Sequence, residues 1–177
     1  IIENRTDAVD IDGRPAHSFE AVVSGGIDQD IADMLWLVKP AGIETHGDVI
    51  VNVTDSQGTV HAVSFSRPIN AYIWAKVTVT VGTPAEFPDD ASDTIKAKIV
   101  EYGSSTFGVG DDVIYQALFG PIYQNVPGIS SVTITLASSA DATPEPDPGD
   151  FSAANIDIPS AGISQWLADR IAVTINV

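Results

Sequence analysis

The segment Tyr72 to Val81 constrains this chain most, because it alternates without a break. Ile73, Ala75, Val77, Val79 and Val81 share one parity, and Tyr72, Trp74, Lys76, Thr78 and Thr80 share the other. In a strand, successive side chains point to opposite faces, so this pattern specifies a sheet with one face on a core and one nearer to solvent. A sheet of that kind needs a covering layer, and the flanking segments supply candidates. Asp90 to Tyr102 reads as a helix with Ile95, Ile99 and Tyr102 on its apolar face, ended by Gly103. A second helix is expected to start at Asp111, a good N-cap residue, and to place Val113, Ile114, Ala117 and Leu118 together. After the turn Val126-Pro127-Gly128, a strand is expected over Ile129 to Ala137, and short strands over Ala154 to Ile158 and Arg170 to Val177.

Upstream, the elements repeat this logic on a smaller scale. Ser18 to Ser24 reads as a strand broken by Gly25-Gly26. Ile27, Ile31, Met34, Leu35 and Val38 then recur at helical spacing as one apolar stripe. Asp28 and Asp30 sit in the first turn, where carboxylates complement the helix dipole, and Pro40 with Gly42 stops the helix after Lys39. Asp48–Thr54 and Thr59–Phe65 form a hairpin around Asp55-Ser56-Gln57-Gly58.

The order of elements specifies an α+β fold of two small units, each with helices packed on one face of a mostly antiparallel sheet. Residues 1–16 read as a polar connector, 17–70 as the first unit, and 71–177 as the second, with a mobile Pro-rich loop at 138–150. The chain does not begin with Met, and it is expected to be the C-terminal part of a longer protein.

Charge narrows the partners. Twenty-four acidic residues oppose 8 basic ones, a formal net charge of −16. Such a chain repels phosphate backbones and anionic lipid surfaces, so direct nucleic-acid binding is not expected, and without a run of about 18 apolar residues neither is membrane insertion. The acidity serves solubility or matches a basic partner. The absence of cysteine removes disulfides, thiolate metal sites and cysteine nucleophiles.

No pattern of catalytic residues emerges, and no cofactor or metal site is expected. His17, His46 and His61 lack a second ligand at metal spacing, and His61 falls on a strand with Val63 and Phe65. Asp28, Asp30 and Asp33 read as a solvated helix face and do not fit a calcium loop. Asp141, Glu145, Asp147 and Asp150 read as a solvated loop, and Asp89-Asp90 and Asp111-Asp112 as caps. Gly108-Val109-Gly110 lacks the third glycine and the basic residue of a phosphate loop. Of Trp36, Trp74 and Trp166, Trp74 lies on the more polar strand face, and with Tyr72 it is the candidate interface residue.

Several local patterns occur in a fixed order. Pro15-Ala16-His17-Ser18-Phe19-Glu20-Ala21-Val22-Val23 is followed by Gly25-Gly26 and Asp30-Ile31-Ala32. Lys39-Pro40-Ala41-Gly42-Ile43 and Gly47 precede Val63-Ser64-Phe65-Ser66-Arg67-Pro68. Ile95-Lys96, Tyr102, Gly108 to Val113, Ile122, Val126 to Ile129 and Val132 complete the series. This order resembles the C-terminal portion of the baseplate J-like proteins of contractile-tailed phages and related prophage particles, from about Ile2 to Leu136 and more loosely to Val177. The most specific pair is Lys-Pro-Ala-Gly-Ile with Phe-Ser-Arg-Pro. The resemblance implies a structural protein of the virion baseplate, assembled in the bacterial cytoplasm. Such proteins build wedges around a central hub in sixfold assemblies. They contact other wedge proteins and copies of themselves, and rearrange when the sheath contracts. It implies no catalytic residue. Two other readings are a surface module that binds carbohydrate or a receptor, which would need exposed aromatics beside Asp or Asn, and a carboxylate-dependent hydrolase, which would need two buried acids facing a cleft.

Overall fold

The computed structural model describes all 177 residues, and the fold is α+β. Contacts divide the chain into Ile1–Pro68 and Ile69–Val177.

The first unit holds two small sheets. β1 (Ile2–Asn4), β2 (Ser18–Glu20) and β3 (Glu44–His46) lie in that order, with β2 antiparallel to β1 and parallel to β3. β4 (Val49–Thr54) and β5 (Val60–Phe65) form the expected hairpin. Its turn is fixed by Asp55, whose carboxylate accepts the N–H groups of Gln57 and Thr59. The chain leaves β2 early, but Val22 still bridges Ser66, with Val23 N–H donating to the Ser66 carbonyl at 2.9 Å. Helix α1 (Asp28–Val38) packs on the hairpin through Ala32, Leu35 and Trp36, against Val51, Val53 and Val63.

Residues 1–16 are not a plain connector. β1 pairs with β2, and Asn4 is buried. The Asn4 amide donates to the carbonyls of Ala8, Arg14 and Pro15, and its oxygen accepts from Thr6. One buried amide thus satisfies a loop of backbone groups that would otherwise need water. The polar composition that reads as a linker is here the wiring of a compact turn.

In the second unit, β6 (Ile69–Val81) is the central strand. β7 (Ile129–Ser139) runs antiparallel on one side, and β8 (Gly162–Gln165) and then β9 (Ile171–Asn176) run parallel on the other. The antiparallel ladder is the longest, and the parallel strands make this sheet mixed. The alternation of β6 holds over most of its length: Ile73, Ala75, Val77 and Val79 are buried and Tyr72, Lys76, Thr78 and Thr80 are half-buried, but Trp74 on the polar parity is buried too and Val81 on the apolar parity is only half-buried. Helix α2 (Ala91–Thr106) covers the apolar face with Ala91, Ile95, Ile99 and Gly103, and α3 (Phe119–Asn125) adds Pro121 and Ile122. Each fully buried aliphatic side chain here contributes about 1.5–3 kcal/mol relative to exposure.

Three expectations fail for tertiary reasons. Gly103 does not end its helix, which runs on to Thr106. A Cβ at Gly103 would overlap the indole of Trp166, so glycine is there for close packing rather than termination. Asp111 caps no helix. Its carboxylate accepts Gly108 N–H at 2.8 Å, Val113 bridges Ile156, and helical structure begins only as a 3-10 turn at Tyr115–Leu118. The segment 154–158 is no strand. Its backbone is spent on Val113, through Ile156, and on the Asp112 carboxylate, through Ile158 N–H. The expected mobile loop at 138–150 is also tethered. β7 extends to Ser139, Leu136 exchanges two backbone bonds with Ser152, and Lys76 reaches Glu145 at 2.9 Å while lying over the Phe151 ring.

Candidate interaction surface

The expected interface pair is not on offer. Trp74 is only 8 % exposed, and its indole N–H donates to the Ser139 hydroxyl at 2.9 Å. Tyr72 is half-buried, and the Arg170 guanidinium lies 4.6 Å from its ring centroid and 5.7 Å from that of Trp74. A tryptophan on the polar parity of a strand reads as available, but the Arg170 cation, from the 3-10 turn just before β9, roofs it.

The apolar stripe of α1 takes the place of that pair. Ala32, with Leu35 and Trp36, faces the hairpin, so Ile27, Met34 and Val38 of the stripe turn outward and Ile31 is half-buried. Ile27, Met34, Leu37 and Val38 are 68 %, 58 %, 77 % and 62 % exposed. Two apolar clefts flank them. One, of about 360 Å³, lies between α1 and the β1–β2–β3 sheet and is lined by Ile1, Phe19, Leu35, Val38, Pro40 and Ile43. The other, of about 350 Å³, is bounded by Val23, Gly26, Ile27, Ile31 and Met34. Scattered exposed aliphatics are ordinary on a protein surface, but a continuous stripe between two apolar clefts marks a contact surface.

The rim of this surface is held rigidly. Arg67 donates to the carbonyls of Val23, Gly25 and Gly26 and pairs with Asp28, fixing the Gly-Gly turn to the start of α1. At the other end Lys39 donates to the Ile43 carbonyl at 3.2 Å and lies 4.9 Å from the Trp36 ring centroid. Trp36 also stacks on His61 at 4.1 Å, and His61 meets the Asp55 carboxylate at 2.8 Å. The hydrogen bond from His61, helped by the Thr59 N–H, holds the Asp55 carboxyl below the usual carboxylate range.

The acids are accounted for by structure. Every Asp and Glu is exposed except Asp10, Glu20 and Asp55, which are half-buried. Asp10 and Glu20 share the buried Arg14, at 2.7 and 2.8 Å, with Asp12 as a third partner at 3.0 Å. Burial opposes ionisation of Glu20, but the Ser66 hydroxyl and the Arg14 guanidinium outweigh it and lower its pKa. Burial likewise opposes ionisation of Asp10, and hydrogen bonds from Arg14 and the Asp12 N–H reverse it. The Arg14 pKa is raised, chiefly by the bond to Glu20.

The remaining candidates are dispersed. His17 meets Asp7 at the surface at 2.8 Å. Asp147 and Asp150 close a capping box around a single 3-10 turn, and the Gly110 N–H donates to the Gly162 carbonyl. No three His, Asp or Glu side chains converge on a metal-sized space. None of the three tryptophans is left open as a sugar platform would need: Trp36 is stacked on His61, Trp74 lies beneath Arg170, and Trp166 is buried against Phe107 with its N–H on Ser164, while Tyr123 is exposed on α3. No helix is long and apolar enough to cross a membrane. Neither the protein-family models nor the curated proteins include one that matches the chain.

The residues of the α1 stripe are legible in the sequence, but not their direction. The signal was present: an i, i+4 pair of Ala32 and Trp36 offers a second, flatter apolar face. Alanine is small enough to bring a helix close to a hairpin, and its burial is complete.

Proposed function

We propose that this chain is a structural component of the baseplate wedge of a contractile phage tail or prophage tail-like particle. It acts through protein–protein interfaces in a sixfold assembly and rearranges on sheath contraction. The observation that carries an assembly role is the outward apolar stripe of α1, set between two apolar clefts. The ordered likeness from Pro15 to Val132 supports this particular assembly. A non-enzymatic role is supported by the acids, each of which is exposed, paired with Arg14 or fixing a turn. Its partners are other wedge proteins and further copies of the chain.

In this role the stripe is the permanent or switchable contact, since repacking at interfaces is how such assemblies change state. The test is to place Met34→Glu with Leu37→Glu in the full-length protein of the particle that encodes it. Both side chains are more than half exposed, so the circular dichroism of the variant should match wild type. Electron microscopy should then show tails without complete baseplates. Normal, contractile particles carrying both substitutions would sink the reading.

A further inference from the structure

The sheet of the second unit has two outer edges, and each is covered only in part. On the β7 side one bridge covers the edge, where Leu136 exchanges both backbone bonds with Ser152, and Ile129–Thr135 makes no further backbone bond on that side. On the other side, β8 receives a cover at its start, where Gly110 N–H donates to the Gly162 carbonyl. β9 receives none along its length: each of its ladder partners lies on β6, and the one further backbone bond is at its start, where the Ile171 N–H donates to the Ala168 carbonyl of the preceding turn. Open edges are normally blunted by charge, proline or a bulge. Ile171–Val177 contains no charged residue, no proline and no glycine, though the chain carries a net charge of −16.

The strand alternates as well as being open. Ile171 is buried and Val173 and Ile175 are half-buried against the core, while Ala172, Thr174 and Asn176 are exposed on the other face. Water can solvate this row of amide and carbonyl groups, but among protein partners an extended segment matches it, and burying the remaining surface of Val173 and Ile175 needs apolar residues at every second position. β9 itself has that pattern. Under a two-fold axis normal to the sheet, a strand pairs antiparallel with its own copy, and opposite residues necessarily share a face. With Val173 on the axis, Ile171 meets Ile175 of the second copy and Ala172 meets Thr174. With Thr174 on the axis, Val173 meets Ile175 and Ala172 meets Asn176. Both registers set apolar against apolar and small against small.

We propose that β9 is a self-pairing edge, through which two copies of this chain join their four-stranded sheets into one continuous sheet with the helices on the same face. The proposal rests on the assembly reading only for its setting, in which copies are brought together. A strand–strand contact is smaller than a standard stable interface, so free chains pair weakly, and tethering within an assembly supplies the missing concentration. Because two strongly acidic chains repel, pairing strengthens as salt screens them, opposite to a charge-complementary interface.

The test is sedimentation equilibrium on the chain from micromolar to millimolar concentration, at low and high sodium chloride. The expected result is a monomer–dimer equilibrium that shifts toward dimer with salt. Thr174→Glu and Thr174→Lys should each weaken it about tenfold or more, since like charges then face each other near the axis. Thr133→Glu, another exposed position, on β7, should leave it within about twofold, and circular dichroism should confirm that all three variants fold. If net charge alone mattered, Thr174→Lys would strengthen the dimer, which would overturn the proposal. A chain that stays monomeric at millimolar concentration in high salt would overturn it too. So would a dimer dissolved by Met34→Glu with Leu37→Glu but not by Thr174→Glu, a result that leaves the wedge reading intact.

Discussion

Arg14→Met offers the sharpest test of what holds the first unit together. The substitution keeps a long apolar stem and removes the guanidinium that binds Asp10, Asp12 and Glu20. The Arg14 side chain is 10 % exposed, and those of Glu20 and Asp10 are 13 % and 22 % exposed. Removing one partner of a fully buried pair costs about 3–5 kcal/mol, because the other charge is left unsolvated. Water reaches this cluster from the Asp12 side, which is 61 % exposed, so screening reduces the expected loss to about 2 kcal/mol. That corresponds to amide exchange about thirtyfold faster in the most protected peptides, here those covering Ser18–Glu20 and Val60–Phe65. Hydrogen exchange read by mass spectrometry at neutral pH measures it. The pH dependence identifies the cause. The folded pKa of Glu20 lies below its ordinary 4.5, so its stabilisation is complete above 4.5 and is lost as pH falls through the lowered value. Once Glu20 is protonated it no longer needs a cation, so the gap between wild type and variant should narrow as pH drops below 4.5. Acceleration under about fivefold, or a gap that stays constant through that range, would refute the argument that unpaired carboxylates carry the penalty.

Two glycines give independent tests. Gly103→Ala should lower stability by about 1–2 kcal/mol although alanine favours helix by about 1 kcal/mol, because the new methyl group displaces the Trp166 indole. A thermal melt and the near-ultraviolet signal of Trp166 report it, and a stabilised variant would show that the ring moves freely. Gly47→Ala should cost about 3 kcal/mol: φ is +149°, and the methyl group would overlap the carbonyl of the fully buried Phe65. Gly58→Ala, at φ +84° with open space around it, should cost only about 1 kcal/mol in the same denaturation assay.

The α+β class, the hairpin, the long central strand and the principal helices were legible because each depends on local periodicity. Alternation in β6 fixes which face is apolar whatever lies above it, and Asp55 sets the hairpin turn with atoms no more than a few residues away. The same rules mislead where a distant group sets the outcome. Gly103 reads as a stop because glycine usually breaks helices, but Trp166, far along the chain, needs the space a side chain would fill. Asp111 reads as a cap, but Ile156 claims the backbone that a helix would have used. Residues 1–16 read as a linker because they are polar, and they are ordered for the same reason, through Asn4 and Arg14.

For the candidate surface the division is just as clear. That α1 carries an apolar stripe and that Ile171–Val177 is uncharged follows from residue order alone. Only the tertiary structure decided that Ala32 and Trp36 take the buried side of α1, that Trp74 lies beneath Arg170, and that β9 ends the sheet with one edge open. A helix with two apolar faces can bury either of them, and the choice falls to whichever packs more closely on its neighbour. A sequence pattern has no means of weighing that contact.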